Sequence, residues 1–225
     1  MNKIKNDFFF QFEMTNEQIQ YAQKLVEYSI SNHPVQDIFH RDPGGAERQR
    51  EFRTTGTLGE IAFADAYELP RPTRSFGAVD GQDFGQDFIL KINDQPHSFD
   101  IKTMGRKNNN FRTNYVLNLP LYQMKRPDII TEYYFCVSLH KNDQNRQIVS
   151  FIGYVSKQEI QHGTIGILYK AGTKRVKDDG SSFIFQRDTY EIDFKDITTP
   201  ILTEKIRLLP GFKIKKILLQ FKKEQ

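Results

Sequence analysis

Asp87-Phe88-Ile89-Leu90-Lys91-Ile92, Asn93-Asp94-Gln95-Pro96 and Ser98-Phe99-Asp100-Ile101-Lys102-Thr103 lie almost end to end in the middle of the chain. The outer two segments alternate apolar and polar residues, the period of a half-buried strand, and the cluster between them is turn chemistry. A hairpin is expected. In a two-residue turn the paired positions sum to an odd number, so Asp87 lies across from Asp100 or Lys102 and these three side chains share a face. Phe88, Leu90, Ile92, Phe99 and Ile101 then fall on the other face. Ile89 joins the charged side, which is therefore not wholly polar.

Upstream of the hairpin the period is helical. Thr15 with Gln18 forms a capping box, and Ile19, Ala22, Leu25 and Val26 follow at helical spacing until His33-Pro34, which predicts a helix over Thr15 to Ser29. A second helix is expected from about Thr57 to Tyr67, stopping before Leu69-Pro70-Arg71-Pro72. The polar stretch from Asp37 to Arg53, with Asp42-Pro43-Gly44-Gly45, reads as loop. Downstream, strands are expected at Tyr133 to Leu139, Ile148 to Val155, Phe183 to Gln186 and Tyr190 to Phe194, with a short helix near Ser156. No repeat and no Gly-, Ser- or Pro-rich linker divides the chain, so one α/β domain over residues 1–225 is expected. The basic, amphipathic C-terminal run from Lys213 to Lys223 reads as an element packed on that domain.

The charged face of the hairpin has chemistry available to it. Two carboxylates held a few ångströms apart repel unless a cation lies between them. Such hard oxygen ligands suit Mg²⁺ or Mn²⁺, and the Ile101 carbonyl is a possible third donor. A lysine two residues after a ligand aspartate can hold water or a phosphate oxygen beside the metal. The alternative at this level is a solvated Asp-x-Lys ion pair. Glu60 projects between Ala64 and Tyr67 at about 100° per residue, on the flank of a mostly apolar helix. A partly covered carboxylate there is either a structural group or part of the same site. Gly56 and Gly59 let another backbone approach that helix closely.

Taken in order, Arg53-Thr54-Thr55-Gly56-Thr57-Leu58-Gly59-Glu60-Ile61-Ala62, Asp83-Phe84-Gly85-Gln86-Asp87-Phe88 and Phe99-Asp100-Ile101-Lys102-Thr103 resemble the PD-(D/E)XK nuclease superfamily. The likeness is to the subgroup with a Gly-x-x-Gly-Glu helix, an Asp-x-Gly-x-Asp strand entry and an Asp-hydrophobe-Lys strand. It covers residues 53–103. Gln86 stands where the family often has Pro, and Asp100 where it often has Glu. The resemblance implies a restriction-endonuclease-like fold, a central mixed β-sheet flanked by helices, with the catalytic core at about 53–160. It implies Asp87 and Asp100 as metal ligands with the Ile101 carbonyl, Lys102 orienting or activating the attacking water, and Glu60 as a ligand or water-positioning group. Asp83 is the second choice for the role of Asp87, beside its reading as a turn residue before Gly85.

The implied activity is Mg²⁺-dependent hydrolysis of DNA phosphodiester bonds, with Mn²⁺ able to substitute. A type II restriction enzyme, possibly homodimeric, is the first expectation. A phage-encoded or repair nuclease is the next, and a non-catalytic nucleic-acid-binding protein keeping the fold is the rival from another class. Double-stranded DNA would be gripped by Arg53 and by the loop carrying Arg106, Lys107, Asn109 and Arg112, although that loop also reads as a plain solvated tip.

Composition agrees with these limits without choosing among them. Lys and Arg number 32 against 28 Asp and Glu, a net charge of +4, with an isoelectric point near 9.0. That charge permits an anionic partner without naming one. Hydrophobic residues at 38% can build a core, and no apolar run approaches the roughly 18 residues of a membrane span. The N-terminus lacks signal-peptide features, so a cytoplasmic protein without membrane contact is expected. Cys136, the lone cysteine, sits in an apolar run and reads as a buried small hydrophobe. The five histidines show no zinc-ligand spacing, and nucleophile-elbow, dinucleotide-binding and Walker A motifs are absent.

Overall fold

The computed structural model describes residues 8–32, 45–73, 87–106, 115–125, 130–176, 180 and 182–217. The chain is a mixed α/β protein whose six-stranded sheet is flanked by helices. The sheet contains β1 (Phe8–Glu13), β2 (Phe88–Ile92), β3 (Gln95–Gly105), β5 (Tyr133–Lys141), β6 (Gln147–Ser156) and β11 (Lys213–Lys216). Their order is β11-β1-β6-β5-β3-β2. Only β3 and β5 pair in parallel; the other neighbours are antiparallel, which makes the sheet mixed.

The sheet separates two cores. Phe88, Phe99, Ile101, Phe135 and Val137 point into one, which is covered by α1 (Asn16–Asn32) and α2 (Gly45–Ala66). Tyr134, Cys136 and Ile152 point into the other, beneath a small sheet of β4 (Val116–Pro120), β10 (Thr189–Asp193) and β7 (Ile167–Tyr169). The short helices α3 (Leu121–Lys125) and α4 (Lys157–Gln161) add Met124 and Ile160 to that second core. Phe63 of α2 is wholly buried, with its ring centroid 5.2 Å from Phe88 and 4.8 Å from Phe135. Burying such a side chain is worth roughly 1.5–3 kcal/mol.

Several local expectations hold. Thr15 and Gln18 make the reciprocal capping box, the Thr15 amide donating to Gln18 Oε1 at 2.9 Å and the Gln18 amide to Thr15 Oγ1 at 3.2 Å. The hairpin is β2–β3, with Ile92 opposite Gln95 and Phe88 opposite Phe99, so paired numbers sum to an odd value as expected. Asn93 and Asp94 adopt φ of 51° and 62°, a conformation these two residue types tolerate in a two-residue hairpin turn. Cys136 is buried.

Others are corrected. α2 begins at Gly45, twelve residues before the expected Thr57, because Glu47, Arg50 and Glu51 are sound helix formers on a solvent-facing turn and their polarity hides the period. Arg50 also binds Glu27 of α1 at 2.7 Å. β1, not anticipated from the sequence, is an inner strand between β6 and β11. β4 was not anticipated; its five residues run directly into α3 and carry little periodic signal. The C-terminal run contributes β11, whose four side chains are exposed before the buried Ile217; residues 218–225 lie outside the described set.

Candidate active site

β2 begins at Phe88, opposite Phe99, and β3 runs on past that point, leaving the next part of its ladder without a strand partner on that side among the described residues. Asp87 fills the gap. Its amide donates to the Phe99 carbonyl at 2.8 Å, and its Oδ2 accepts the Ile101 amide at 2.6 Å. A carboxylate thus replaces a main-chain acceptor at a strand end, which fixes its position. In an extended strand the N–H and C=O of one residue point to the same edge, so the Ile101 carbonyl opens toward Asp87.

Asp100 and Lys102 project from the opposite face to Phe99 and Ile101, as the alternation requires. Lys102 Nζ lies 2.7 Å from Asp100 Oδ2, with the two side chains only 18% and 14% exposed. Burial pushes the Lys102 ammonium down, but Asp100 first, then Asp87 and the Tyr122 hydroxyl, outweigh it and hold its pKa above the ordinary value. Lys102 is therefore a fixed cation at neutral pH and cannot serve as a proton acceptor there. Its Nζ also lies 5.8 Å from the ring centroid of Tyr134, the residue opposite Asp100 in the parallel β3–β5 ladder. The Tyr134 hydroxyl has no hydrogen-bond partner, and burial followed by Asp100 raises its pKa. Sequence gave no sign of Tyr134, because only strand pairing brings it beneath the ion pair.

Glu60 is buried on α2, and α2 covers the Phe99 and Ile101 face. That helix lies on the other side of the sheet to Asp100 and Lys102. The closeness of helix and strand is enforced at Gly59, where a Cβ would stand 1.8 Å from Thr103 Oγ1. Arg53, Thr57 and Glu60 follow at i, i+4 and i+7 and form one stripe of α2. Arg53 is 2% exposed, yet among the described residues its Nε and Nη1 have no hydrogen-bond partner, and neither does Thr57 Oγ1. Burial draws the Arg53 pKa down.

Arg106 is engaged internally. Its guanidinium donates to Ser138 Oγ and to the Val116 carbonyl, both at 3.3 Å, and stacks 4.1 Å from the Tyr115 ring centroid. It ties β3 to β4 and β5. Lys107, Asn109 and Arg112, like Asp83 and Gln86, lie outside the described residues.

Among the described residues no group of three or more His, Cys, Asp or Glu side chains could hold a metal ion. The donors gathered at the start of β2 are two carboxylates and one carbonyl. That set suits Mg²⁺, which commonly takes one or two carboxylates and completes its shell with water and substrate oxygens. No described helix is long and apolar enough to cross a membrane. The chain matches no protein-family model, no curated protein and no solved structure.

Proposed function

We propose that this protein is a metal-dependent DNA endonuclease with a restriction-endonuclease-like fold, a type II restriction enzyme in the first instance. The observation that carries this reading is the meeting of Asp87, Asp100 and Lys102 where β2 begins and β3 continues past it. Asp87, Asp100 and the Ile101 carbonyl would hold Mg²⁺ or Mn²⁺, which when bound supplies a hydroxide-like water and neutralises charge on the phosphate. Asp87 is anchored beside the Ile101 carbonyl by the Ile101 amide. Lys102 acts as a donor, orienting water or a phosphate oxygen and countering negative charge as it develops. Asp100 exchanges part of its attachment to Lys102 for the metal. Arg53, a cation without hydrogen-bond partners at two nitrogens, is available to a neighbouring phosphate. Glu60 is proposed as a water-positioning or ligand group reaching from the helix side, and Glu60→Gln, which keeps the buried volume, separates that role from packing.

Plasmid digestion with Mg²⁺ and with EDTA tests the proposal. Cleavage should require the metal and be lost in Asp100→Ala and in Lys102→Ala. Metal-dependent cleavage that survives both substitutions sinks the site assignment. A second reading, a non-catalytic DNA-binding protein, is favoured by the placement of Glu60 on α2, which covers the sheet face opposite Asp100 and Lys102. It predicts duplex binding with no cleavage under any metal. A phage-encoded or repair nuclease would share the chemistry and differ in its fragment ends.

A further inference from the structure

The side of the sheet that carries Asp100 and Lys102 also carries a surface that no sequence motif marked. Met124 of α3 packs in the same core as Tyr134, whose ring lies beneath Lys102. Two residues before it, Tyr122 is 37% exposed and carries the Arg187 guanidinium 4.9 Å from its ring centroid. Gln123 Nε2 donates to the Tyr122 hydroxyl at 3.3 Å. The segment holding Arg187 is tied down on both sides: Thr189 Oγ1 donates to the Arg187 carbonyl at 2.9 Å, and the Leu121 amide to the Asp188 carbonyl at 2.8 Å. Asp188, the acid of this segment, is already taken by Lys170 Nζ at 2.8 Å and the Ala171 amide at 3.0 Å. Lys125 and Arg187 are both exposed, and neither forms an ion pair among the described residues.

We infer that Arg187, stacked on Tyr122 and assisted by Lys125, is a clamp for the phosphate backbone of duplex DNA beside the Asp87, Asp100 and Lys102 site. This rests on the nuclease reading and extends it to the surface that presents the substrate. A stacked arginine has lost part of its rotamer freedom before binding, and its planar edge still offers paired donors to a phosphate. One face of the Tyr122 ring is occupied by Arg187, so the pair is built for backbone contact and not for stacking on bases. Its contribution is therefore independent of DNA sequence.

Anisotropy of two short labelled duplexes of unrelated sequence, titrated with the full chain in EDTA over a salt series, tests this. Arg187→Ala should weaken binding to both duplexes by about tenfold and make the log–log salt slope shallower by about 1. Arg187→Lys should keep the slope and lose part of the affinity; Lys213→Ala, on the far edge strand β11, should leave the Arg187 effect in place. Unchanged affinity and slope in Arg187→Ala overturn the clamp, as does a duplex-specific loss. Plasmid digestion by the wild type separates the two proposals. Cleavage with no Arg187 effect removes the clamp alone, and an Arg187-dependent grip with no metal-dependent cleavage removes the nuclease alone.

Discussion

Lys102 and Arg53 are both withdrawn from water close to β3, and they are neutralised differently. Lys102 has Asp100 at 2.7 Å, with Asp87 also acting on it. Arg53 is more deeply buried, and two of its guanidinium nitrogens have no partner. A matched buried pair is secure in the free protein but costly to break, because removing one member strands the other. An unmatched buried cation carries its desolvation penalty in the free protein and regains it only when an anion arrives. The first arrangement holds its charges in place; the second leaves a desolvation cost that an anion would offset.

The largest expected effect comes from breaking the matched pair. Asp100→Ala should lower the free energy of unfolding by about 3 kcal/mol, since Lys102 is left mostly buried and unpaired; urea denaturation measures this, and a loss below about 1 kcal/mol would mean that the pair is held as loosely as a surface one. Next is the helix–strand contact lying between the two cations. Gly59→Ala would drive a Cβ to 1.8 Å from Thr103 Oγ1, and about 2 kcal/mol of destabilisation is expected. Combining it with Thr103→Ala, which removes the clashing hydroxyl, should restore part of the loss; no restoration would place the strain elsewhere.

The unmatched cation should respond with the opposite sign. Arg53→Met is expected to stabilise the free protein by about 1 kcal/mol while weakening duplex binding. A destabilised Arg53→Met would show that the guanidinium is satisfied in the folded state and would end the comparison. The smallest effect is on pH dependence. Because the folded-state pKa of Lys102 is raised, its stabilising contribution is whole below the unfolded value of about 10.4 and is lost as pH rises through the higher folded value. The urea midpoint of the wild type should therefore fall faster than that of Lys102→Met above about pH 10.4, and parallel curves would contradict the pairing.

The hairpin was legible because its strands obey a period of two and its turn has a fixed length, and these set the register from Phe88–Phe99 to Ile92–Gln95. The capping box at Thr15 and Gln18 was legible for a similar reason, both partners lying within one helical turn. The first turns of α2 were not, since charged helix formers on an exposed turn look like loop. The depth of Arg53 also escaped notice: a polar residue on a helix gives no sign of what covers it. Arg106 was assigned to a solvated loop, yet Ser138, Tyr115 and the Val116 carbonyl take it in, and those partners come from β5 and from the β4 region.

What the amino-acid sequence determined by itself is the set of local relationships: strand period, turn register, helix cap, and Asp100 with Lys102 on one face of their strand. These depend on residues a few positions apart and on backbone geometry that varies little. Only the tertiary structure decided that Glu60 is buried on α2, that Tyr134 lies beneath Lys102, that Arg53 is buried with two nitrogens unpartnered among the described residues, and that Arg187 stacks on Tyr122. Each of these joins distant segments through burial, where packing and desolvation set the charge state and availability of a side chain, and no local pattern encodes which segments will meet.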